Sequence, residues 1–129
     1  MQIHQSAEDY LETILMLSQR MGKVGSIDVV NELGFTKASV SIAMKKLREN
    51  GYIAVDGEGN LTLLEPGLEI AQRIYSRHQL LTHFFVQLGV DEQTAAEDAC
   101  KAEHILSEQT LEKIRESALR NDATHPQAK

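Results

Sequence analysis

The stretch that decides the fold is GFTKASVSIAMKKLRENGYIAVDGEGNLTLL, residues 34–64. Thr36 is predicted to cap a helix that runs to about Asn50, directly after a short helix that stops at Gly34. Two runs rich in β-forming residues then flank a glycine-rich turn at residues 56–60, a pattern typical of a hairpin. The order helix, tight turn, helix and hairpin predicts a winged helix-turn-helix. The predicted buried stripe of its second helix is Val40, Met44 and Leu47.

Helices are predicted on both sides of this stretch. Ser6 is expected to cap a first helix that reaches about Arg20, and Ser26 a short helix from Ile27 to Leu33. After the hairpin, three helical segments are expected: one from Pro66 to about Leu88, one capped by Asp91 and reaching Leu106, and one capped by Ser107 and reaching about Leu119.

The predicted fold class is therefore mainly α, with a winged helix-turn-helix domain followed by an α-helical dimerisation domain. We expect the DNA-binding domain at residues 1–65, the helical domain at 66–120 and a polar tail at 121–129. The long helix after Pro66 is apolar over much of its circumference, which favours burial on two sides, the second by another subunit.

Composition narrows the classes of function. The formal net charge of −6 argues against nonspecific nucleic-acid binding by the whole molecule, so a DNA contact requires a local basic patch. A single cysteine cannot form an intrachain disulfide, which fits a reducing cytosol. The chain begins without an apolar signal region, and no apolar run approaches the roughly 20 residues that span a bilayer. We expect a cytoplasmic protein without a membrane segment.

The predicted second helix of the helix-turn-helix carries that basic patch. Residues 35–48 contain four basic side chains and no acid. A recognition helix reads base edges from its N-terminal half, where hydroxyl groups contact bases or phosphates and an apolar side chain packs on a thymine methyl. In the ordinary alternative these are solvated side chains of a surface helix. The DNA-binding candidates are Thr36, Lys37, Ser39, Ser41, Ile42 and Lys45.

A second set of side chains is suited to a metal ion. Cys100, Glu103 and His104 are spaced by three and four, which predicts one shared helix face. Thiolate, imidazole and carboxylate together suit an ion such as Fe(II), Mn(II) or Zn(II). Taken singly, each residue has a structural alternative: an acid at a helix start, a buried cysteine, a hydrogen-bonded histidine. The other metal-competent side chains are Asp9, Glu12 and His78.

Several segments resemble the diphtheria toxin repressor family of metal-dependent bacterial repressors, in order and in spacing, from about residue 6 to 119. The chain is similar to the short branch of that family, the manganese transport regulators, and it is too short for the third domain of the iron-dependent branch. The segments that carry the resemblance are Ser6–Ile14, Ser39–Ser41, Lys46–Tyr52, Arg77–Leu81 and Cys100–Ser107.

The resemblance implies a site that mixes the two branches. Asp9 and Glu12 match the manganese branch, whereas Cys100 matches the iron branch. Thr82 and Ala96 occupy positions where the iron branch uses a carboxylate and a histidine for an ancillary ion. Both Fe(II) and Mn(II) therefore remain open, as does the number of ions. The ligand positions that the resemblance implies are Asp9, Glu12, His78, Cys100, Glu103 and His104.

The expected function is that of a homodimeric repressor, activated by Fe(II) or Mn(II), that binds a palindromic double-stranded operator and controls genes of metal homeostasis. The alternative is a winged-helix regulator that senses oxidants through Cys100 or binds a small ligand, and its DNA binding would respond to peroxide rather than chelator. A hydrolytic metalloenzyme using His78, Glu103 and His104 is disfavoured because no nucleophile motif accompanies them. We therefore expect no enzymatic activity.

Overall fold

The computed structural model describes residues 5–124 and the side chains of residues 6–123. The helices are α1 Gln5–Met21, α2 Ser26–Leu33, α3 Lys37–Glu49, α4 Glu65–Gln87, α5 Glu92–Ala102 and α6 Glu108–Thr124. Strands β1 Ile53–Val55 and β2 Leu61–Leu63 form a two-stranded antiparallel sheet. This element order confirms a mainly α chain with a winged helix-turn-helix. The chain divides into two compact units, Met1–Arg73 and Ile74–Lys129, and the division falls within α4.

The N-terminal unit is built around α1, which packs against α2, α3 and β2. Thr36 caps α3 as predicted, because its hydroxyl oxygen accepts the backbone N–H of Ser39 at 3.1 Å. The wing is tied to the chain after α1, since the N–H of Leu61 donates to the carbonyl of Val24 at 2.7 Å. The core of the unit includes Leu11, Ile14, Val24, Val29, Val40, Met44, Leu47, Ile53 and Leu61.

Gly67, in the first turn of α4, allows the wing to lie close to that helix. A Cβ atom at this position would be 2.2 Å from the carbonyl oxygen of Tyr52. That carbonyl also accepts the N–H of Leu64 at 3.0 Å, so it has little freedom to move. Glycine is required here by close approach rather than by dihedral angle.

The C-terminal unit packs the second half of α4 against α5 and α6. Its buried centre is formed by Leu81, Ala99 and Leu111, with Leu80, Phe85, Ala102, Leu106 and Ile114 packed around it. Asp91 caps α5 by accepting the N–H of Thr94 at 3.1 Å, and Ser107 caps α6 by accepting that of Thr110 at 3.2 Å. Both caps confirm the sequence prediction.

Several predicted helix ends are wrong. Ser6 lies inside α1, so it is not the cap. Ser26 is the first residue of α2, because the Asp28 carboxylate accepts the N–H of Gly25 at 2.8 Å and makes Gly25 the cap. α6 continues to Thr124 rather than Leu119, and residues 125–129 of the predicted tail lie outside the described chain. No helix within residues 5–124 is both long and apolar enough to cross a bilayer.

Candidate metal centre and nucleic-acid interface

The candidate metal centre of the C-terminal unit contains a buried carboxylate that lies between two imidazoles. Glu103 is fully buried, and its Oε2 lies 3.1 Å from Nδ1 of His78. Its Oε1 lies 3.5 Å from Nε2 of His104, whose side chain is also almost completely buried. The structure therefore brings together three of the predicted ligands, His78 from α4 and Glu103 and His104 from the chain after α5.

The predicted helix to Leu106 is wrong, and the difference shapes this centre. α5 ends at Ala102, and Glu103 is its C-cap residue, with its N–H donating to Ala99 at 2.9 Å. His104 follows in a turn, so Cys100, Glu103 and His104 do not share one helix face. The turn is held from α4, because Nη1 of Arg77 donates to the Glu103 carbonyl at 3.2 Å.

Arg77 is a site residue whose role sequence reasoning missed. Besides the Glu103 carbonyl, its guanidinium donates to the Glu108 carboxylate at the start of α6. The side chain is only 16% exposed, so it bridges the two ends of the turn from a mostly buried position. Its place next to His78 within the Arg77–Leu81 motif was the available signal. Because it acts on the backbone that carries Glu103, Arg77 is a positioning residue.

A buried carboxylate needs compensation for the loss of hydration. The Oε1 atom of Glu103 has no hydrogen-bond partner among the side chains and backbone of the described residues. The Glu103 carboxylate as a whole lies between two imidazoles, and each imidazole can offer a nitrogen lone pair when it is neutral. A divalent cation matches this arrangement because it would satisfy the free carboxylate oxygen and the nitrogen donors together. The donor chemistry of the three side chains therefore fits a transition metal ion.

Cys100 lies in the last turn of α5 and is exposed. Its sulfur and a carboxylate oxygen of Glu103 are within 4.8 Å of each other. The thiol is thus close enough to the buried carboxylate to share an ion with it, and open enough to meet small solutes. The structure therefore brings this candidate close to Glu103.

The remaining two metal candidates belong to the N-terminal unit. Asp9 and Glu12 lie one turn apart in α1, where Asp9 is half-buried and Glu12 is 5% exposed. Their neighbour Glu8 pairs with Arg73 at 3.3 Å, so the acidic start of α1 is partly neutralised within its own unit. The i, i+3 spacing places both carboxylates on the same side of α1, as predicted.

The DNA-binding candidates all lie on α3 or at its N-cap, and all are exposed: Thr36, Lys37, Ser39, Ser41, Ile42 and Lys45. The opposite side of α3 is buried through Val40, Met44 and Leu47, as the sequence predicted. Ile42 is 59% exposed, so its apolar side chain is available for contact with a thymine methyl. The N-terminal half of α3 thus offers hydroxyl, ammonium and apolar groups to solvent.

The hydroxyl groups at the start of α3 also contact each other. The Thr36 hydroxyl donates to Oγ of Ser39 at 2.9 Å, in addition to its capping contact. Thr36 is therefore committed to the cap, whereas the Ser39 hydroxyl can still donate its own proton to a base or phosphate oxygen.

The tip of the wing is negatively charged. The Asp56 carboxylate accepts the N–H groups of Asn60 and Glu58, both at 2.9 Å, and the Asn60 amide at 3.1 Å. These hydrogen bonds, above all those from Asn60, hold the pKa of Asp56 below its ordinary value. Asp56 is therefore ionised at neutral pH and closes the turn, and the wing tip repels phosphate.

Sequence models of two domains of one protein family match this chain. The sequence model of the iron dependent repressor N-terminal DNA binding domain matches residues 2–61. The model of the iron dependent repressor metal binding and dimerisation domain matches residues 64–127. The two matches together extend over nearly the whole chain and divide it in the predicted order.

Similar proteins include regulators from archaea and bacteria. An uncharacterised HTH-type transcriptional regulator of Methanocaldococcus jannaschii is 37% identical over 113 residues, 86% of this chain and 90% of its own length. The HTH-type transcriptional regulator MntR of Bacillus subtilis is 33% identical over 109 residues, 84% of this chain and 77% of its own length.

Two solved structures show the same fold. The manganese regulator SloR superimposes with a TM-score of 0.77 at 25% identity, and covers 94% of this chain. A manganese-dependent transcriptional repressor in complex with manganese gives a TM-score of 0.78 at 28% identity, and covers 87% of this chain. This chain spans 55% and 52% of those two proteins, about half the length of each.

Proposed function

Because the chain belongs to the iron dependent repressor family of metal-dependent transcriptional regulators, which are not enzymes, we propose that it is a homodimeric, cytoplasmic repressor that binds operator DNA when Fe(II) or Mn(II) is bound. The observation that carries the proposal is the buried Glu103 carboxylate, whose Oε1 has no hydrogen-bond partner within the described residues. In this reading His78, Glu103 and His104 hold the ion, with Cys100 beside them.

Asp9 and Glu12 complete the ligand set from the N-terminal unit. Their support is the family resemblance and the burial of Glu12, a carboxylate at 5% exposure. Carboxylates that bind one ion repel each other when the ion is absent. A bound divalent ion supplies the positive charge that lets them share one site. Asp9 and Glu12 then link the DNA-binding unit to the unit that contains the dimer contacts.

This link is how metal binding would control DNA binding. A dimer presents two copies of α3, and their separation must match one duplex turn, about 34 Å, on a palindromic operator. Side chains that engage the ion only in the DNA-binding arrangement favour that arrangement. A hundredfold preference corresponds to about 2.7 kcal/mol at saturation.

The dimer contacts are proposed for the C-terminal unit, which matches the dimerisation domain of the family. Large apolar side chains remain on its surface, namely Leu88, Ile105 and Leu119, each more than 60% exposed. A second copy of the chain would remove this apolar surface from water.

The choice between iron and manganese depends on Cys100. A thiolate is a softer donor than a carboxylate and favours Fe(II) over Mn(II). The two similar structures that are described as manganese regulators favour the opposite choice, as do the oxygen ligands Asp9 and Glu12. We place Fe(II) slightly ahead, and we expect a second adjacent ion to bind weakly because a thiolate bridges two hard ions less readily than a carboxylate does.

The test of the ligand set is calorimetry with Mn(II) and Fe(II) under anaerobic conditions. His104→Ala removes an imidazole from the C-terminal cluster, and Glu12→Ala removes the link from α1. Both variants should lose metal-activated operator binding while they retain the fold and the dimer. Glu97→Ala is the matched control, because Glu97 is an exposed acid on α5 outside the cluster. Unchanged metal affinity in both ligand variants would contradict the assignment.

A further inference from the structure

An aromatic contact joins α1 to the turn between the two helices of the helix-turn-helix. The ring centroids of Tyr10 and Phe35 are 5.9 Å apart, and the ring planes meet at 75° in an edge-to-face arrangement. Aromatic pairs favour this arrangement because the positive edge of one ring meets the negative face of the other. Both residues belong to the N-terminal unit, so the contact connects two elements of one compact unit.

The two rings differ in their exposure to water. Tyr10 is 7% exposed and belongs to the core, whereas Phe35 is 45% exposed. Nearly half of the Phe35 surface remains in water, so burial accounts for only part of the placement of this side chain. The contact with Tyr10 gives the Phe35 ring a defined position against α1.

Phe35 is the central residue of the connection between α2 and α3, and both of its neighbours are fixed. Gly34 ends α2 in the left-handed conformation, with a φ of 72°, and its N–H donates to the Val30 carbonyl at 2.9 Å. Thr36 caps α3. An apolar residue directly before the cap often fixes, through its packing, the angle at which the chain enters a helix. A shift of Phe35 would therefore be passed to the first turn of α3, which carries candidates for DNA contact.

At the other end of the contact, Tyr10 shares one helical turn with Asp9 and Glu12, the two ligands proposed for α1. An ion held by these two carboxylates would restrict the motion of that turn. We propose that the contact between Tyr10 and Phe35 transmits the metal-bound position of α1 to α3, which makes both aromatic residues positioning residues for operator binding. Because Asp9 and Glu12 are ligands only in the proposed function, this role rests on it.

The size of the effect follows from the strength of one aromatic contact. Such a contact changes an equilibrium by roughly three- to tenfold beyond the effect of the buried area. The ratio of operator affinities with and without metal, here called the activation ratio, should fall by this factor when either ring is removed. Because linkage is reciprocal, the gain in metal affinity caused by bound operator should fall by the same factor. A contact that only stabilised the fold would leave both ratios unchanged.

The experiment measures operator binding of the full chain anaerobically, with chelator and then with saturating Mn(II) or Fe(II). Phe35→Leu and Tyr10→Leu should each lower the activation ratio, whereas Tyr10→Phe keeps the ring and should retain the ratio. The double variant with leucine at both positions should lose no more than either single variant, because both changes remove the same contact. Met16→Leu is the matched control, because Met16 is another apolar side chain of α1 and is 39% exposed.

Phe35→Leu is the decisive variant because nearly half of that side chain is exposed, so the substitution removes little of the core. Circular dichroism verifies that each variant is folded. An activation ratio in folded Phe35→Leu equal to that of wild type would overturn the positioning role and leave the proposed function standing. A wild type whose operator affinity does not respond to metal would overturn the proposed function, and the positioning role with it.

Discussion

The two surfaces proposed to carry the function differ in their access to water. The candidates on α3 are all exposed, whereas Glu103 at the metal cluster is fully buried. Water and dissolved salt screen the attraction between an exposed cation and a phosphate. Each such contact therefore contributes little to the binding free energy, and its contribution depends on ionic strength. A buried carboxylate has lost its hydration and depends on the few groups around it. Substitutions in the cluster should therefore have larger effects than substitutions on α3.

Glu103→Gln should have the largest effect. The substitution keeps the shape of the side chain but removes the negative charge between His78 and His104. We expect the affinity for the activating ion to fall on the order of a hundredfold or more, and operator binding to become insensitive to metal. Calorimetry of Glu103→Gln beside Glu97→Gln measures this difference. Equal losses of metal affinity in the two variants would contradict the expected difference between buried and exposed carboxylates.

Gly67→Ala tests whether a substitution at a buried position that involves no charge also has a large effect, here on the stability of the N-terminal unit. Alanine normally stabilises a helix interior by up to about 1 kcal/mol relative to glycine. Here the new Cβ would be 2.2 Å from the Tyr52 carbonyl oxygen, so we expect a net loss of about 2 kcal/mol in the free energy of unfolding. Denaturant unfolding is the measurement. The control is Gly57→Ala in the open wing turn, where no atom lies within 4 Å of the new Cβ.

Cys100→Glu sharpens the comparison at the edge of the cluster, where the thiol is exposed. A carboxylate in place of the thiolate should shift activation from Fe(II) toward Mn(II) by about tenfold and strengthen binding of a second ion. Anaerobic operator binding with each metal provides the readout. Cys100 is not a ligand if the wild type already prefers Mn(II) over Fe(II) and the variant keeps the same metal preference and the same number of bound ions.

Lys45→Ala should have the smallest effect. Lys45 is exposed on α3, and its proposed contact is with a phosphate rather than a base. We expect weaker binding to all DNA sequences alike, and a salt dependence that is flatter by about one unit. The control is Lys101→Ala, an exposed lysine on α5. A salt slope equal to that of wild type would remove Lys45 from the phosphate contacts.

Local signals in the sequence were sufficient for the elements and several caps. Thr36, Asp91 and Ser107 cap their helices because a hydroxyl or carboxylate directly precedes each first turn. The wing followed from its β-forming residues around a glycine-rich turn. These features depend on residues within a few positions of each other, which a sequence displays directly.

Two of the wrong helix ends accompany contacts between residues that are distant in sequence. α5 ends at Ala102, and the next residue, Glu103, accepts a hydrogen bond at its carbonyl from Arg77, which is 26 positions away in the sequence. The extension of α6 to Thr124 accompanies the contact of Asp122 with His83, 39 residues away. The residue types were sufficient to identify His78, Glu103 and His104 as ligand candidates. The distances between these side chains and the burial of Glu103 could be obtained only from the folded structure.

The central claim is that metal controls DNA binding by this chain. Its most direct test is operator affinity of the wild-type protein, measured anaerobically with excess chelator and then with Mn(II) or Fe(II) restored. We predict that chelator releases the protein from its operator and that either ion restores binding. Equal affinity in all three conditions, or release by peroxide but not by chelator, would contradict the account.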